Sequence, residues 1–248
     1  MSQIQVKRNT DRAERFEVAF NQIHLKLKDL APNSQNDNFT YLLHKVKDKH
    51  TSIRYHFPEL RQFAKLRNAI VHEKVKESYY IADPHQDVVD EIETISKALL
   101  SPPLGLSIAS RDVLSFTTDT HIKVILNAFA EKGYSQFPIY ENGVFKGLLT
   151  EGGIAKWFST HVAGDFIPVG ETRAAEILKI EKPHNVSFIA RDATIYDVED
   201  LFESYFDRNQ KLEAALVTEN GTTNQSPIGI ITTWDLVQID RTKITLIP

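Results

Sequence analysis

Arg67, Asn68 and His72 stand close together in the sequence and could perform acid–base chemistry on a phosphate ester. A histidine side chain titrates near neutral pH, so it can donate or accept a proton during a reaction. The arginine guanidinium presents a fork of N–H donors that binds phosphate and stabilises growing negative charge. These three residues are therefore candidate catalytic residues, and their chemistry requires no metal ion.

Helical periodicity surrounds these residues. Apolar residues recur at spacings of three and four in four segments of residues 1–100, which predicts four helices. Pro32 and a polar run end the first helix, and the third begins near Pro58 and carries the candidate catalytic residues toward its end. The fourth begins near Pro84 and ends before Pro102. We expect a small helical bundle over residues 1–100.

The string RNAIVH, in this four-helix context, resembles the Arg-x(4–6)-His signature of HEPN domains. The resemblance implies a metal-independent endoribonuclease that uses the RNA 2′-hydroxyl as its nucleophile. Five residues place Arg67 and His72 about 140° apart on an ideal helix, and the resemblance implies a homodimer whose shared cleft completes the site. A non-catalytic bundle for dimerisation or RNA binding fits the same residues. In that case Arg67 packs its stem on the bundle and His72 caps a helix.

The remainder of the chain contains an internal repeat. Residues 119–129 align with residues 192–202 at an offset of 73. The strings FPIYENG and ALVTENG then align, followed by GLLTEGG and GIITTWD. Each copy is predicted to run strand, helix, strand, Asn-Gly turn, strand, helix, because Asn-Gly between apolar runs is a strong hairpin signal.

This repeat resembles the CBS domain, which occurs in tandem pairs. The first copy covers about residues 104–160 and the second about residues 175–240. We therefore expect an α+β protein: an all-α bundle over residues 1–100 followed by a CBS-domain pair over residues 101–248. The resemblance implies a regulatory module that binds an adenosine-containing ligand between its two copies.

The family's ribose motif is Gly-h-h-(Thr/Ser)-x-x-Asp, and only one copy retains it. The second copy has Thr232 and Asp235 at the Thr and Asp positions, whereas the first has Thr150 followed by Gly153. The resemblance assigns the Asp to the ribose hydroxyls and the Thr to the helix start and the ligand. Losing such charge-assisted hydrogen bonds costs about 1.5–3 kcal/mol. We expect one good site; a helix cap without a ligand remains the alternative for Thr232 and Asp235.

The family's pattern also implies where the rest of a ligand lies. Adenine is expected beside Asn185, Val186 and Ser187 and beside the backbone of Ala214 and Ala215, with phosphates near residues 135–136. Basic residues are missing at residues 135–136, which puts polyphosphate ligands in doubt. AMP, ADP, ATP and S-adenosylmethionine are the candidate ligands.

Charge and composition set the remaining expectations. Residues 1–76 hold 15 Lys+Arg and 8 Asp+Glu, whereas the rest of the chain holds 14 and 25. This asymmetry indicates two modules with different partners, or simply two solvated surfaces. The chain has no cysteine and no long apolar run, so we expect a cytoplasmic protein without disulfides or membrane spans.

Two functions remain in competition. In the first, the CBS pair senses an adenine nucleotide and controls an HEPN-like module that binds RNA or cleaves it without a metal. In the second, the chain is a non-enzymatic regulator whose helical domain serves dimerisation or docks a partner protein. A homodimer is expected in both.

Overall fold

The computed structural model describes residues 2–72, 83–161 and 169–237, with side chains from residue 11 onward except those of residues 71 and 72. The chain divides into two compact units, Met1–Pro103 and Leu104–Pro248. Across the described residues, no helix has the length and apolar character that a bilayer crossing requires. The predicted α+β class is confirmed, with helices first and small mixed sheets after them.

All the regular elements described in the first unit are helices. Its elements are α1 (Ser2–Leu30), α2 (Phe39–Val46), α3 (Thr51–Tyr55), α4 (Phe57–His72) and α5 (Gln86–Leu100). Their apolar stripes form one core that includes Phe16, Phe20, Ile23, Leu43, Ile70 and Ile92. The short helix α3 was not predicted, because five residues are too few to show a helical period.

Polar contacts join the first and last helices of this unit. Arg15 Nε and Nη2 donate to the two carboxylate oxygens of Glu93 at 2.9 and 2.7 Å, and Arg12 pairs with Asp83. Residues 77–103 contribute one Lys against six Asp and Glu, which brings the net formal charge of the unit to +2. The basic excess predicted for residues 1–76 is thus largely offset within its own unit.

The second unit contains two small sheets. The first consists of β1 (Phe116–Thr117), β2 (Gln136–Glu141) and β3 (Val144–Thr150), and the second of β4 (Val186–Ala190), β5 (Ala214–Thr218) and β6 (Gly229–Ile231). In each sheet the first strand pairs in parallel with the second, and the second pairs antiparallel with the third. The two sheets therefore share one topology, as the sequence repeat predicts.

Helices connect and follow these strands. They are α6 (Ile122–Lys132), α7 (Glu151–His161), α8 (Ala174–Leu178) and α9 (Ile195–Asp207), and residues 233–237 are also helical. The tight turn between β2 and β3 places Asn142 and Gly143 at φ 52° and 77°, as a type I′ hairpin requires. Helix α8, which precedes the second copy, was not predicted.

Each copy begins with a segment that packs on the other copy. Ahead of the first copy, Gly105 N donates to Ala193 O at 2.8 Å, and Ser110 and Ile230 exchange two backbone hydrogen bonds of 3.0 Å. Ahead of the second copy, the side chain of Leu178 in α8 lies against Gly147 of β3. Leu104 and Gly105 are thus part of the second unit. The exchange of leading segments creates the clefts between the copies.

Candidate ligand-binding cleft

Thr232 and Asp235 form a helix-start motif directly after β6. Asp235 Oδ2 accepts hydrogen bonds from Thr232 N at 2.7 Å and from Thr232 Oγ1 at 2.9 Å. Leu236 N donates to Thr232 O at 3.4 Å, which starts the helical turn. These bonds satisfy the backbone N–H and the hydroxyl of Thr232 at the helix start, and they fix the rotamers of both side chains.

The motif opens into a cleft of about 250 Å³ between the two copies. The second copy lines it with Thr232, Trp234 and Asp235. The first copy contributes its leading segment, residues 112–114, and the approach to β2, residues 133–136. Ser135 and Gln136, where the sequence predicts the phosphate end of a ligand, therefore lie in the same cleft as Thr232 and Asp235.

Within the described residues, those predicted to flank adenine are not among the residues that line this cleft. Val186 and Ser187 pair with Ala214 and Ala215 along β4 and β5, and none of the four lines it. Ala214 and Ala215 are 0% exposed, so neither presents a surface that a ligand could touch. The predicted adenine contacts therefore stay a prediction, and it is the first copy that lines the cleft opposite Asp235.

The corresponding motif of the first copy is closed by Glu181. Glu181 Oε1 accepts hydrogen bonds from Thr150 N at 2.6 Å and from Thr150 Oγ1 at 2.9 Å. Asn185 Nδ2 donates to Glu181 Oε2 at 3.1 Å and to Leu148 O at 3.2 Å. Glu181 thus gives Thr150 the same two hydrogen bonds that Asp235 gives Thr232, but it comes from the leading segment of the other copy.

Gly153 makes room for this carboxylate. A Cβ atom built on Gly153 would overlap the Glu181 carboxyl group, so a side chain at this position is incompatible with Glu181 as placed. Thr150 is 5% exposed, and its Oγ1 accepts a hydrogen bond from Gly153 N at 3.0 Å. Burial raises the pKa of the Glu181 carboxyl above its ordinary value, although the hydrogen bonds from Thr150 and Asn185 oppose this rise.

The sequence reveals the missing aspartate at Gly153 but not its replacement. Glu181 follows α8, outside the repeated strings, so the alignment of the copies assigns it no role. The sequence signal for Glu181 was the motif of Thr150, in which Gly153 stands where the family has an aspartate.

The candidate catalytic residues of the first unit have different environments. Arg67 is partly buried, and its guanidinium carbon lies 5.9 Å from the centroid of the Phe20 ring. Asn68 is exposed, and Ile70 beyond it is fully buried. His72 is the last residue of α4, but its side chain lies outside the described side chains. The spacing of Arg67 and His72 as a catalytic pair therefore stays a prediction.

One face of α4 carries exposed polar residues. Arg61, Lys65 and Asn68 are all exposed and follow one another at spacings of four and three, so they share one face of the helix. Within the ranges that the structure covers, no three His, Asp or Glu side chains come together as a metal site would need.

Comparison with known proteins identifies one region of the chain. Residues 105–160 match the family model described as CBS domain. No curated protein matches the chain.

Several solved structures resemble the second unit at low identity. The CBS domain pair of protein MJ0100, solved with 5′-methylthioadenosine and S-adenosyl-L-methionine, is 17% identical and covers 57% of this chain and 98% of its own, with a TM-score of 0.44. A CBS domain-containing protein of unknown function from Kribbella flavida is 12% identical, with coverages of 56% and 99% and a TM-score of 0.44. A hexameric CBS-CP12 protein from bloom-forming cyanobacteria is 18% identical, with coverages of 55% and 67% and a TM-score of 0.41.

These similarities are too distant to transfer a ligand or an assembly to this chain. The family match and the repeated topology together define its second unit. The chain consists of an N-terminal helical unit followed by a second unit in which residues 105–160 match the CBS domain model.

Proposed function

We propose that this protein is a cytoplasmic regulator in which one adenosine-containing ligand, bound in the cleft of Thr232 and Asp235, controls an HEPN-like helical unit that acts on RNA. One observation carries the proposal: one of the two equivalent motifs opens into a cleft, and the other is closed by Glu181. Of these two motifs, then, one is open in the described part of the chain, which favours a sensor that binds one ligand.

Asp235 is the residue that would hold the ribose. Both hydrogen bonds assigned to its carboxylate within the described residues go to Oδ2. The second oxygen, Oδ1, is therefore the natural acceptor for the two ribose hydroxyls. Thr232 keeps this carboxylate oriented, so the acceptor is in place before the ligand arrives.

The base would lie against the first copy. Residues 112–114 provide a short apolar stretch, Val113-Leu114, on the wall of the cleft, and Tyr134 adds an aromatic ring. A flat apolar base gains most from such contacts, because they remove its faces from water. This assignment is an alternative to the one that sequence alone indicated at β4 and β5.

The exposed face of α4 supports a contact with RNA. Arg61 and Lys65 present two cations beside Asn68, and His72 stands four residues after Asn68 in the sequence. Cations in a row along one helix face bind successive phosphates. In the HEPN-like mechanism Arg67 stabilises the phosphate, His72 moves the proton, and two subunits of a homodimer complete the site.

Control by the ligand requires that the ligand favour one arrangement of the dimer over another. AMP, ADP, ATP and S-adenosylmethionine are the ligands to compare.

One observation favours the alternative of a docking module. The guanidinium of Arg67 lies over the Phe20 ring at the edge of the bundle core, which is a structural position for an arginine stem. If Arg67 serves only this purpose, the helical unit dimerises or docks a partner protein and does not cleave RNA.

An RNA retention and cleavage assay on the full chain separates these functions. The account expects binding that weakens steeply with salt, cleavage that persists in EDTA, and a change in either on adding the adenosine ligand. Arg61→Ala with Lys65→Ala should weaken binding severalfold, whereas His72→Ala should abolish cleavage and retain binding. Failure to retain or cleave single-stranded or structured RNA at low salt, with and without ligand, would establish the docking alternative.

A further inference from the structure

We infer that the cleft around Asp235 selects nucleosides whose 5′ substituent carries no phosphate, and that Asp112 and Trp234 impose this preference. The inference rests on the proposed function, because it specifies the ligand class of the same site. It narrows the four candidate ligands to the one without phosphate, S-adenosylmethionine, together with uncharged adenosine derivatives.

The charge of the cleft wall is the first reason. Among the described residues, the lining includes two carboxylates, Asp112 and Asp235, and no Lys, Arg or His. Arg111 is exposed and is not among them. A phosphate monoester carries about −1.5 to −2 charges at neutral pH. Its approach to two carboxylates without a neighbouring cation is repulsive and leaves its oxygens without charged donors.

The position of Trp234 is the second reason. Trp234 lies directly before Asp235 and lines the cleft, yet it is 70% exposed. A ligand that covers an exposed indole ring removes apolar surface from water, and this burial favours binding. Its N–H is a single donor and its face is electron-rich, so it attracts an apolar or cationic group such as a sulfonium and offers little to a phosphate.

The size of the cleft is the third reason. Its volume of about 250 Å³ lies below the roughly 300–1,000 Å³ that is usual for small-molecule sites. A nucleoside with a short substituent fits such a volume better than a nucleoside triphosphate.

The test is calorimetry on the full chain with adenosine, 5′-methylthioadenosine, S-adenosylmethionine, AMP and ATP. The inference predicts that the three ligands without phosphate bind at least about tenfold more tightly than AMP, and ATP most weakly of all. Raising the salt concentration should narrow the gap between adenosine and AMP, because exposed charges are screened.

Matched variants assign the preference to its residues. Asp112→Asn should reduce the ratio of the AMP and adenosine dissociation constants severalfold, whereas Asp207→Asn, the same change at the exposed end of α9, should leave that ratio as it is. Trp234→Ala should weaken S-adenosylmethionine about tenfold, and Trp234→Phe should restore most of that loss. Phe206→Ala removes an 81% exposed ring that does not line the cleft and serves as the control.

The outcomes separate this inference from the function on which it rests. AMP or ATP binding more tightly than adenosine overturns the inference and leaves the single adenosine site in place. An unchanged AMP-to-adenosine ratio in Asp112→Asn also overturns it. If no adenosine-containing ligand binds at millimolar concentration, both the inference and the proposed function fail.

Discussion

Glu181 accepts two hydrogen bonds from Thr150, through the backbone nitrogen at 2.6 Å and through the hydroxyl at 2.9 Å. Asp235 accepts the same two from Thr232 at 2.7 and 2.9 Å. Both threonines thus donate the same two hydrogen bonds to a carboxylate, but Asp235 belongs to the same copy as Thr232, whereas Glu181 belongs to the copy opposite to Thr150. Asp235 borders an open cleft, whereas Glu181 closes the motif of Thr150.

This relationship predicts that Gly153→Asp destabilises the protein while Gly152→Asp does not. A side chain at Gly153 overlaps Glu181 and would place a second carboxylate beside it, at a cost of about 2–4 kcal/mol in unfolding free energy. At Gly152 a Cβ atom meets only Thr150 Oγ1, at 3.7 Å, so the matched change is tolerated in the first turn of α7. Urea denaturation of the full chain measures both.

The double variant Gly153→Asp with Glu181→Ala completes this test. It removes the overlap and returns a carboxylate to the motif position, so it should recover at least about 2 kcal/mol relative to Gly153→Asp alone. If the losses of unfolding free energy in Gly153→Asp and Glu181→Ala simply add in the double variant, the two positions are not coupled.

The ionisation of Glu181 predicts a pH dependence. Burial raises the pKa of this carboxyl in the folded protein above its ordinary value of 4.5. The folded state therefore holds the proton more tightly, and the stability from this group is full below pH 4.5 and is lost as the pH rises through the raised pKa. Relative to Glu181→Gln, the wild type should lose unfolding free energy as the pH rises above 4.5 and through the raised pKa.

Denaturation curves of the two proteins across this range provide the comparison. A constant difference, or a wild type that gains stability over Glu181→Gln as the pH rises, would show that the hydrogen bonds from Thr150 outweigh burial.

The position of Arg67 predicts a structural contribution. Its guanidinium lies over Phe20, so Arg67→Ala should lower the unfolding free energy by about 1 kcal/mol. Arg61→Ala removes the same side chain from the exposed face of α4 and should change it by less than about 0.5 kcal/mol. Equal effects would contradict the packing assigned to Arg67. Loss of RNA cleavage in Arg67→Ala without loss of stability would instead favour a catalytic role.

The sequence predicts those parts of the structure that depend on local pattern. The apolar periods of α1, α2, α4 and α5, the repeated strand order and the turn at Asn142 and Gly143 all follow from neighbouring residues. The placement of Thr232 and Asp235 at a helix start also follows from neighbouring residues.

Features that depend on contacts between the copies were missed. Residues 112–114 of the first copy line the cleft around Asp235, which the alignment of the two copies does not indicate. The exchange of leading segments brings Glu181 to Thr150 across 31 positions of sequence. Nothing in the local period of either segment encodes which copy it packs against, so such residues emerge only from the tertiary structure.

Assembly gives a further prediction. Both the HEPN-like mechanism and the docking alternative expect a homodimer, so light scattering on the full chain should give about twice the monomer mass of 28.3 kDa. A monomer at micromolar concentration would exclude a catalytic cleft shared between two subunits.

The central claim is that each chain has one open adenosine site and that Asp235 holds the ligand. Calorimetry of the full chain with adenosine and S-adenosylmethionine tests it most directly, using Asp235→Ala beside Asp207→Ala as an exposed aspartate outside the cleft. The account predicts a stoichiometry of one ligand per chain, a loss of affinity of about tenfold or more in Asp235→Ala, and unchanged binding in Asp207→Ala. Two ligands per chain, or binding that Asp235→Ala leaves intact, would contradict it.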